Sequence, residues 1–210
     1  MQMKDIVGLL KKINAIITDD HFVYTSGKHG SVYVRKDRLY PNTKKTSDVC
    51  ELIAEKFKNK DLDVVVGPSI GGIILSQWTA YHLTKLKRKE ILGVFTEKDE
   101  NSNQIFKRGY DKLVKNKKVL IVEDLTTTGG SVAKVVKNVK KAGGKVIAAC
   151  VMINRDPEKV TSRTIGAPLF SLGTFKAESF DSDKCPLCKK NVPINTSVGH
   201  GAMFLKAKKN

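Results

Sequence analysis

The stretch from Val119 to Ser131, which reads VLIVEDLTTTGGS, constrains the fold more than any other part of the chain. It opens with four consecutive apolar residues, and such a run is typical of a strand that is buried on both faces of a sheet. Two acids, Glu123 and Asp124, follow at the point where the strand is expected to leave the sheet. After a loop of threonines and glycines, valines recur at the i, i+3, i+4, i+7 spacing of a helix: Val132, Val135, Val136 and Val139. The stretch therefore predicts a buried strand, two acids, a flexible loop and a helix N-terminus, in that order.

The loop between the acids and the helix has the composition of a binding site for a sugar phosphate. It consists of Thr126, Thr127, Thr128, Gly129, Gly130 and Ser131. The free N–H groups and positive dipole end of a helix N-terminus favour a phosphate, and glycines let the backbone close around it. Paired carboxylates can accept hydrogen bonds from ribose hydroxyls. The loop is neither a Walker A motif nor a G-x-G-x-x-G dinucleotide fingerprint. The alternative is an ordinary strand–helix turn whose acids are solvated.

This stretch resembles the motif with which type I phosphoribosyltransferases bind 5-phosphoribosyl-1-diphosphate (PRPP): four hydrophobic residues, two acids and a Thr/Gly-rich loop. The resemblance extends over most of the chain and looks closest to the orotate phosphoribosyltransferase branch. It implies that residues 126–131 bind the 5′-phosphate of PRPP. It also implies that Glu123 and Asp124 bind the ribose hydroxyls, with Asp124 among the catalytic residues. Mg²⁺ bound through PRPP and a homodimer are further implications of the resemblance.

A second strand–loop–helix unit lies earlier in the chain. The apolar residues 64–66 run into the loop GPSIGG, and the helical pattern IILSQWTAYHL follows. Gly71 and Gly72 permit close approach of the backbone at another helix N-terminus, which is again an anion site. By the family resemblance, Ser69, Gly71 and Gly72 hold the pyrophosphate of PRPP.

A third apolar strand, residues 91–95, is followed by a long polar segment, residues 100–115. Long segments without a pattern inside compact domains are often lids. The resemblance assigns Lys98 to the pyrophosphate and makes the polar segment a catalytic loop, with Lys107 and Arg108 as its basic candidates. The segment has no histidine, although orotate enzymes usually have one there. The alternative is a solvated charged loop.

A hairpin near the N-terminus is expected to border the base. Residues 21–25 and 31–34 alternate like strands around a Ser-Gly turn. The resemblance makes this hairpin a hood over the base and PRPP. It implies that Tyr33 packs on the base and that Lys28 contacts phosphate or base. For Tyr33 the alternative is packing on the core, and His29 is expected to be an exposed turn residue.

Arg155 is the expected specificity residue. It follows the strand predicted over residues 146–153, and ligands of open α/β sheets bind at the carboxyl ends of strands. By the resemblance, Arg155 pairs with the carboxylate of the base, which a guanidinium fork matches in shape, and Thr127 is a further base contact. The alternative is a surface arginine that caps local carbonyl groups.

Composition narrows the class of protein. A net charge of +17 in 210 residues attracts polyanions, either nucleic acid or a multiply phosphorylated metabolite. The lysines are scattered, aromatic residues make up only 7%, and no aromatic RNA-binding motif is visible, so no specific nucleic acid is expected. No apolar run approaches the ~20 residues that span a bilayer, and the amphipathic N-terminus is unlike a signal peptide. We therefore expect a cytoplasmic protein without a membrane partner.

The four cysteines do not suggest a disulfide framework in a chain of this length. Cys50 and Cys150 fall in a predicted helix and strand, where small core residues are expected. Cys185 and Cys188 form a CxxC pair, which supplies two of the four ligands of a structural zinc site. His200 could add a third ligand, and the sequence offers no obvious fourth. Zinc binding, a plain turn with two thiols and redox chemistry therefore stay open.

Strands that alternate with helices predict an α/β fold, a mainly parallel twisted sheet with helices on both faces. A helix over residues 3–17 and the hairpin are expected to form a hood, residues 1–42, before a PRPP-binding core, residues 43–180. The CxxC-containing tail, residues 181–210, is expected to pack on the core.

The resemblance implies transfer of the 5-phosphoribosyl group from PRPP to a nucleobase. Orotate is the leading acceptor, with orotidine 5′-monophosphate and pyrophosphate as products of this step in pyrimidine biosynthesis. One alternative is a purine phosphoribosyltransferase that acts on adenine or xanthine. The other is a PRPP-sensing regulator that binds nucleic acid through the basic surface.

Overall fold

The computed structural model describes residues 6–24, 26–174, 176 and 178–208. In its first half the elements are α1 (Ile6–Lys12), β1 (Ile16–Ile17), β2 (Phe22–Val23), β3 (His29–Gly30), β4 (Tyr33–Val34), a 3₁₀ helix (Lys36–Arg38), α2 (Thr43–Phe57), β5 (Val64–Pro68) and α3 (Gly71–Lys87). The second half contains β6 (Leu92–Lys98), β7 (Gln104–Ile105), α4 (Tyr110–Val114), β8 (Lys118–Thr126), α5 (Gly130–Lys141), β9 (Lys145–Asn154), α6 (Ser162–Ile165), β10 (Leu169–Thr174), α7 (Pro186–Lys189) and α8 (Gly201–Ala207).

A six-stranded sheet in the order β10-β9-β8-β5-β6-β7 forms the centre of the fold. Five of its strands run parallel, and β7 pairs antiparallel with β6 at one edge. The chain continues from β5 to β6 on one side of the sheet and from β8 to β9 and β10 on the other. The loops after β5 and β8 therefore diverge and leave a crevice at the carboxyl ends of these strands, which is where open α/β sheets bind ligands.

Apolar layers cover both faces of the sheet, because successive side chains of a strand point to opposite faces. Along β8, Val119 and Ile121 pack against α5, whereas Leu120 and Val122 pack against α2 and α3. All four are fully buried. None of the helices in the described part of the chain combines the length and the apolar character that a membrane span requires. The prediction of a mainly parallel α/β fold is confirmed.

The N-terminal helix is shorter than the apolar pattern over residues 3–17 predicts. α1 ends at Lys12, and the next apolar pair forms β1; residues 3–5 lie outside the described part of the chain. Asn14 has a φ of 54°, and the N–H groups of Asn14 and Ala15 donate to carbonyls in the last turn of α1 at 2.9 and 2.8 Å. This is a Schellman ending, in which a residue in the left-handed conformation stops the helix.

The hairpin of the hood pairs differently from the expectation. β2 pairs with β3, whereas the predicted second strand, residues 31–34, contributes β4, which pairs with β1. His29 was expected in an exposed turn, but it lies in β3 and is fully buried. Phe180 covers it and exchanges two backbone hydrogen bonds with it, at 2.8 and 2.9 Å. Thr25, inside the predicted first strand, lies outside the described residues.

The tail contacts the hood, and the expectation that it packs on the core stays a prediction. The N–H of Asn195 donates to the carbonyl of His21 at 2.8 Å, and the N–H of His200 donates to that of Val23 at 2.9 Å. α8 also contacts β2. The division of the chain into hood, core and tail stays a proposal.

The polar segment of residues 100–115 contains more structure than its sequence suggests. β7 and α4 both lie in it. Gln104 is buried and accepts a hydrogen bond from the hydroxyl of Thr96 at 2.8 Å, and Val114 is part of the core. The expectation of a segment without a pattern is therefore wrong for residues 104–114. The few buried residues of this segment lie among charged ones, so they form no recognisable apolar pattern in the sequence.

Candidate active site

The two acids of the central motif lie inside β8 rather than after it, because the strand continues to Thr126. Asp124 is only 1% exposed and is held by two side chains of the segment before α2. The hydroxyl of Tyr40 donates to Oδ2 of Asp124 at 2.5 Å, and Nζ of Lys36 lies 3.2 Å from Oδ1 and 3.1 Å from Oδ2. The carboxylate is therefore fixed in place by one neutral and one charged donor.

The pKa shifts of these two donors keep both of them protonated. Burial raises the pKa of Tyr40, and the negative charge of Asp124 raises it further. Burial alone would lower the pKa of Lys36, but the charge and hydrogen bond of Asp124 outweigh that effect, and the pKa is raised. Both groups thus remain hydrogen-bond donors to Asp124 at neutral pH.

Glu123, the other acid, is 8% exposed. Burial raises its pKa well above the ordinary range of a glutamate, and the nearby charge of Asp124 raises it further. Its Oε1 accepts the N–H of Asp124 at 3.0 Å. A carboxyl group with a raised pKa can donate a hydrogen bond to a sugar hydroxyl as well as accept one.

Gly71 places the first glycine loop directly against Asp124. A Cβ atom at this position would overlap with Oδ2 of Asp124 and with the hydroxyl oxygen of Tyr40. The peptide bond before Ile70 in this loop is cis, and the N–H of Ser69 donates to the carbonyl of Thr96 at the end of β6, at 2.9 Å. The start of α3, just after the loop that follows β5, therefore meets β8 at the crevice, with glycine as the only residue that fits the contact.

The Thr/Gly loop turns into α5 at Gly129, which has a φ of 78°. The hydroxyl of Thr126 accepts the N–H of Gly129 at 3.0 Å, so this buried threonine closes the loop. The first N–H groups of a helix have no carbonyl partner inside the helix, and they can bind an anion. The exposed members of the loop, which border this helix end, are Thr127, Thr128, Gly130 and Ser131.

A cavity of about 640 Å³ lies between the hood and the ends of β8 and β9. Its walls include all four residues expected to contact the base: Lys28, Tyr33, Thr127 and Arg155. The ring of Tyr33 packs on that of Phe22 with centroids 5.3 Å apart, so Tyr33 contacts the apolar interior and also faces the cavity. Lys28 forms an ion pair with Asp181 at 3.3 Å.

Arg155 is held in the cavity wall by its backbone and by an aromatic ring. Its N–H donates to the carbonyl of Thr126 at 2.9 Å, and its Cζ lies 4.8 Å from the centroid of the Tyr24 ring. Its Nε is buried and has no hydrogen-bond partner among the described residues. A buried N–H group without a partner costs about 1–3 kcal/mol. Arg155 thus brings a cation to the cavity wall, where it can attract an anionic ligand.

Lys98, predicted for the pyrophosphate, and Lys107 and Arg108, predicted for the catalytic loop, are not among the residues that line this cavity. Nε of Arg108 is 2.9 Å from Oε1 of Glu97, and Nζ of Lys107 is 3.8 Å from Oε2 of the same residue. Lys98 is exposed at the end of β6, opposite Gln104 of β7. Lys98 thus ends β6, whereas Lys107 and Arg108 follow β7 and pair with Glu97, the neighbour of Lys98 in β6.

Sequence reasoning missed three residues of the site: Lys36, Tyr40 and Tyr24. Lys36 and Tyr40 are separated from Asp124 by 88 and 84 positions. No local pattern links them to the acids, and the only available signal was their position just after the hood hairpin.

The CxxC pair lies apart from this cavity. Cys185 and Cys188 meet His21 and His29 of the hood in one group of side chains. His200, which the sequence offered as a third ligand, is not a member of that group.

The fold and the site define a class of protein: an α/β protein with two helix N-termini, a buried acid pair and a hooded cavity at one edge of a parallel sheet. The family model described as "Phosphoribosyl transferase domain" matches residues 36–167, and the chain therefore belongs to the phosphoribosyltransferase family. The family prediction from the central motif is confirmed.

Relatives within this family match nearly the whole chain. The orotate phosphoribosyltransferase of Caldicellulosiruptor bescii is 34% identical over 190 residues, which cover 90% of this chain and 93% of that protein. The orotate phosphoribosyltransferase of Caldanaerobacter subterraneus subsp. tengcongensis is 31% identical over 194 residues, which cover 92% of this chain and 96% of that protein.

Solved structures show the same fold. The orotate phosphoribosyltransferase of Mycobacterium tuberculosis in complex with inorganic phosphate has a TM-score of 0.63 at 19% identity and covers 82% of this chain and 95% of its own. An adenine phosphoribosyltransferase from Thermoanaerobacter pseudethanolicus has a TM-score of 0.62, also at 19% identity, and covers 80% of this chain and 99% of its own. Because the two are equally similar, the fold does not select the base.

Proposed function

We propose that this chain is a pentosyltransferase that transfers the 5-phosphoribosyl group of PRPP to orotate, a step of pyrimidine biosynthesis. The observation that carries the choice of base is Arg155, which lines the cavity at the carboxyl end of β9. Orotate bears a carboxylate, which a guanidinium binds through two parallel hydrogen bonds. Relatives at 31–34% identity that are named orotate phosphoribosyltransferase support the same acceptor.

PRPP would span the two loops at the crevice. The N-terminus of α5, with the exposed residues of the 126–131 loop, would bind the 5′-phosphate. Glu123 and Asp124 would bind the ribose hydroxyls, and Ser69, Gly71 and Gly72 the pyrophosphate. The contact of Gly71 with Asp124 supports this assignment, because it makes the ribose and pyrophosphate sites adjacent.

Lys98, Lys107 and Arg108 would supply positive charge to the leaving pyrophosphate. The hydrogen bond from Ser69 to the carbonyl of Thr96 supports this proposal, since it joins the pyrophosphate loop to the strand that ends at Lys98. Lys107 and Arg108 are paired with Glu97 here. To reach the site they would exchange this carboxylate for the phosphates, which would also exclude water from the activated sugar.

Mg²⁺ is the cation expected with PRPP, and the oxygen donors at the crevice suit it. Glu123 and Asp124 are hard oxygen ligands, which this ion prefers together with phosphate oxygens and water. When bound, Mg²⁺ would offset the charge of the diphosphate. Because Asp124 already has two donors, we propose that the ion is held chiefly through PRPP.

The reaction breaks the bond from C1 of the ribose to the pyrophosphate oxygen and forms a bond from C1 to a nitrogen of the base. In the family the sugar passes through a state that resembles an oxocarbenium ion, so the protein mainly positions the reactants and stabilises charge. Asp124, fixed by Tyr40 and Lys36, would orient the ribose. Tyr33, Lys28, Thr127 and Arg155 would orient the base. A homodimer and a cytoplasmic location are part of the same proposal and rest on the family resemblance.

The proposal is tested by incubating the full chain with PRPP, Mg²⁺ and one nucleobase at a time, following pyrophosphate release. The panel contains orotate, uracil, adenine, guanine and xanthine. We expect turnover with orotate and little with uracil, which lacks the carboxylate. Faster consumption of PRPP with adenine or xanthine would replace orotate by a purine. PRPP binding without turnover on any base, together with tight sequence-specific nucleic-acid binding, would favour a regulator.

A further inference from the structure

Four side chains with metal-binding atoms meet between the hood and the tail: His21, His29, Cys185 and Cys188. Their ligand atoms all lie within 4.8 Å of one another, and all but Cys188 are fully buried. His21 precedes β2 and His29 lies in β3, whereas Cys185 caps α7 and Cys188 lies within it. We refer to these four residues as the Cys₂His₂ cluster.

The distances inside the cluster are close to those of a tetrahedral zinc site. Zn–S bonds of about 2.3 Å and Zn–N bonds of about 2.0–2.1 Å place tetrahedral ligands roughly 3.4 Å (N–N), 3.6 Å (N–S) and 3.8 Å (S–S) apart. Nε2 of His21 lies 2.9 Å from Nδ1 of His29 and 3.7 Å from each of the sulfurs. Sγ of Cys188 lies 3.4 Å from Nδ1 of His29. Shifts of roughly half an ångström would therefore complete the tetrahedron.

The protein also orients one of the histidines as a ligand. Nδ1 of His21 lies 2.8 Å from the carbonyl oxygen of Val192, so this nitrogen carries the proton. The lone pair of Nε2 then points into the cluster. A backbone carbonyl in this position is the usual partner of a metal-bound imidazole.

We infer that the Cys₂His₂ cluster is a structural zinc site. Two thiolates and two imidazoles in a tetrahedron are a ligand set typical of Zn²⁺. All four positions are filled by protein, so no site is left open for a substrate, as expected of a structural ion. The ion would join segments that are 164 positions apart, from His21 to Cys185.

The position of the cluster indicates what the ion does. Tyr24 and Lys28 lie between the two histidine ligands in the chain, and both line the cavity described above. The β2–β3 hairpin is short, because each of its strands contains only two residues. Two ligands from this hairpin and two from the tail would hold it over the cavity. The inference itself concerns metal binding and does not depend on which base the enzyme uses.

The first experiment measures metal in the purified full chain by inductively coupled plasma mass spectrometry. We expect about one zinc ion per chain, as for a closed four-ligand site. Replacement of zinc by Co²⁺ should produce the intense visible bands of tetrahedral cobalt and the sulfur-to-cobalt charge-transfer bands of thiolate ligands. A chain that holds no zinc and shows no charge-transfer bands on titration with Co²⁺ would overturn the inference.

Matched variants identify the ligands. Cys188→Ser and His29→Gln should lose the zinc, whereas Cys50→Ala, which removes a buried thiol elsewhere, and His200→Gln should keep it. Stripping zinc with a chelator should lower the Tm of the wild type and leave that of Cys188→Ser unchanged. Loss of zinc in His200→Gln but not in His29→Gln would show that this cluster is not the site. If a ligand variant does not fold, the cobalt spectrum of the wild type decides alone.

Discussion

The hydroxyl of Tyr40 donates a 2.5 Å hydrogen bond to Oδ2 of Asp124 and so joins the segment before α2 to the central strand. Lys36 binds the same carboxylate from the same segment. Asp124 is therefore oriented before any ligand arrives. Groups that are already in place lose little free energy to reorganisation during the reaction, which is how enzymes of this kind stabilise charge. The three residues form the most connected part of the proposed site.

Tyr40→Phe removes one oxygen atom from this arrangement. We expect the free energy of unfolding to fall by about 1.5–3 kcal/mol, because a hydrogen bond to a buried carboxylate is lost. Urea denaturation measures the change. Tyr81→Phe is the control, since Tyr81 is 47% exposed, and a change within about 0.5 kcal/mol is expected there. Equal effects of the two variants would contradict the importance of the Tyr40 bond.

Asp124→Asn keeps the volume of the side chain and removes its charge. We expect kcat/KM for PRPP to fall by about tenfold to a hundredfold, as for the loss of a hydrogen bond to a charged group. Steady-state kinetics with varied PRPP measure the effect. Asp48→Asn, which breaks an exposed ion pair with Lys44, is the matched control and should leave kinetics unchanged. Wild-type kinetics in Asp124→Asn would remove this residue from the site.

Gly71→Ala tests the contact between the start of α3 and Asp124 of β8. The added methyl group would overlap with Asp124, so we expect a loss of about 1–3 kcal/mol of stability, as for overpacking, and weaker PRPP binding. Gly130→Ala is the stability control, because the nearest atom to its Cβ would be 3.5 Å away. Thermal unfolding of the two variants gives the comparison. A Gly71→Ala protein as stable as Gly130→Ala would mean that Gly71 and Asp124 do not touch as described.

Arg155→Lys keeps a positive charge but loses the guanidinium fork. We expect KM for orotate to rise by about tenfold to a hundredfold, with a much smaller change in KM for PRPP. The ratio of kcat/KM for orotate to that for uracil should fall, because only orotate carries the carboxylate. Arg163→Lys, at an exposed position of α6, is the control. An unchanged ratio would show that Arg155 does not recognise the carboxylate.

The raised pKa of Glu123 predicts that the stability of the fold depends on pH. Its pKa is raised by burial, so between the ordinary pKa of a glutamate and the raised value the folded chain holds a proton that the unfolded chain has released. The contribution of Glu123 to the free energy of unfolding is therefore fully present at low pH. It is lost as pH rises, by at most about 1.4 kcal/mol per pH unit. Glu123→Gln should remove this contribution.

The measurement compares urea denaturation of the wild type and Glu123→Gln from pH 5 to pH 8. The difference in free energy of unfolding should shift in favour of the variant as pH rises. Glu90→Gln, at an exposed glutamate, provides the reference. A difference that does not change with pH would contradict the raised pKa of Glu123.

Local patterns in the sequence predicted the α/β fold, the unit of strand, acids, loop and helix around Glu123 and Asp124, and the glycine loop after β5. These features are local, because an apolar run, a set of glycines and a helical spacing each lie within a few consecutive residues. They can therefore be recognised without knowledge of the fold. The position of Arg155 at this edge of the sheet could be predicted for a related reason, since the carboxyl ends of parallel strands share one edge.

Contacts between side chains that are far apart in the sequence became visible in the folded chain. Tyr40 and Lys36 reach Asp124 over 84 and 88 positions. His29 was expected in an exposed turn, yet it is buried beside Cys188, 159 positions away. Such pairs depend on how separate elements pack, and no periodicity along the chain predicts this packing. The same reason explains why the sequence supplied two ligands of the Cys₂His₂ cluster and the fold supplied the other two.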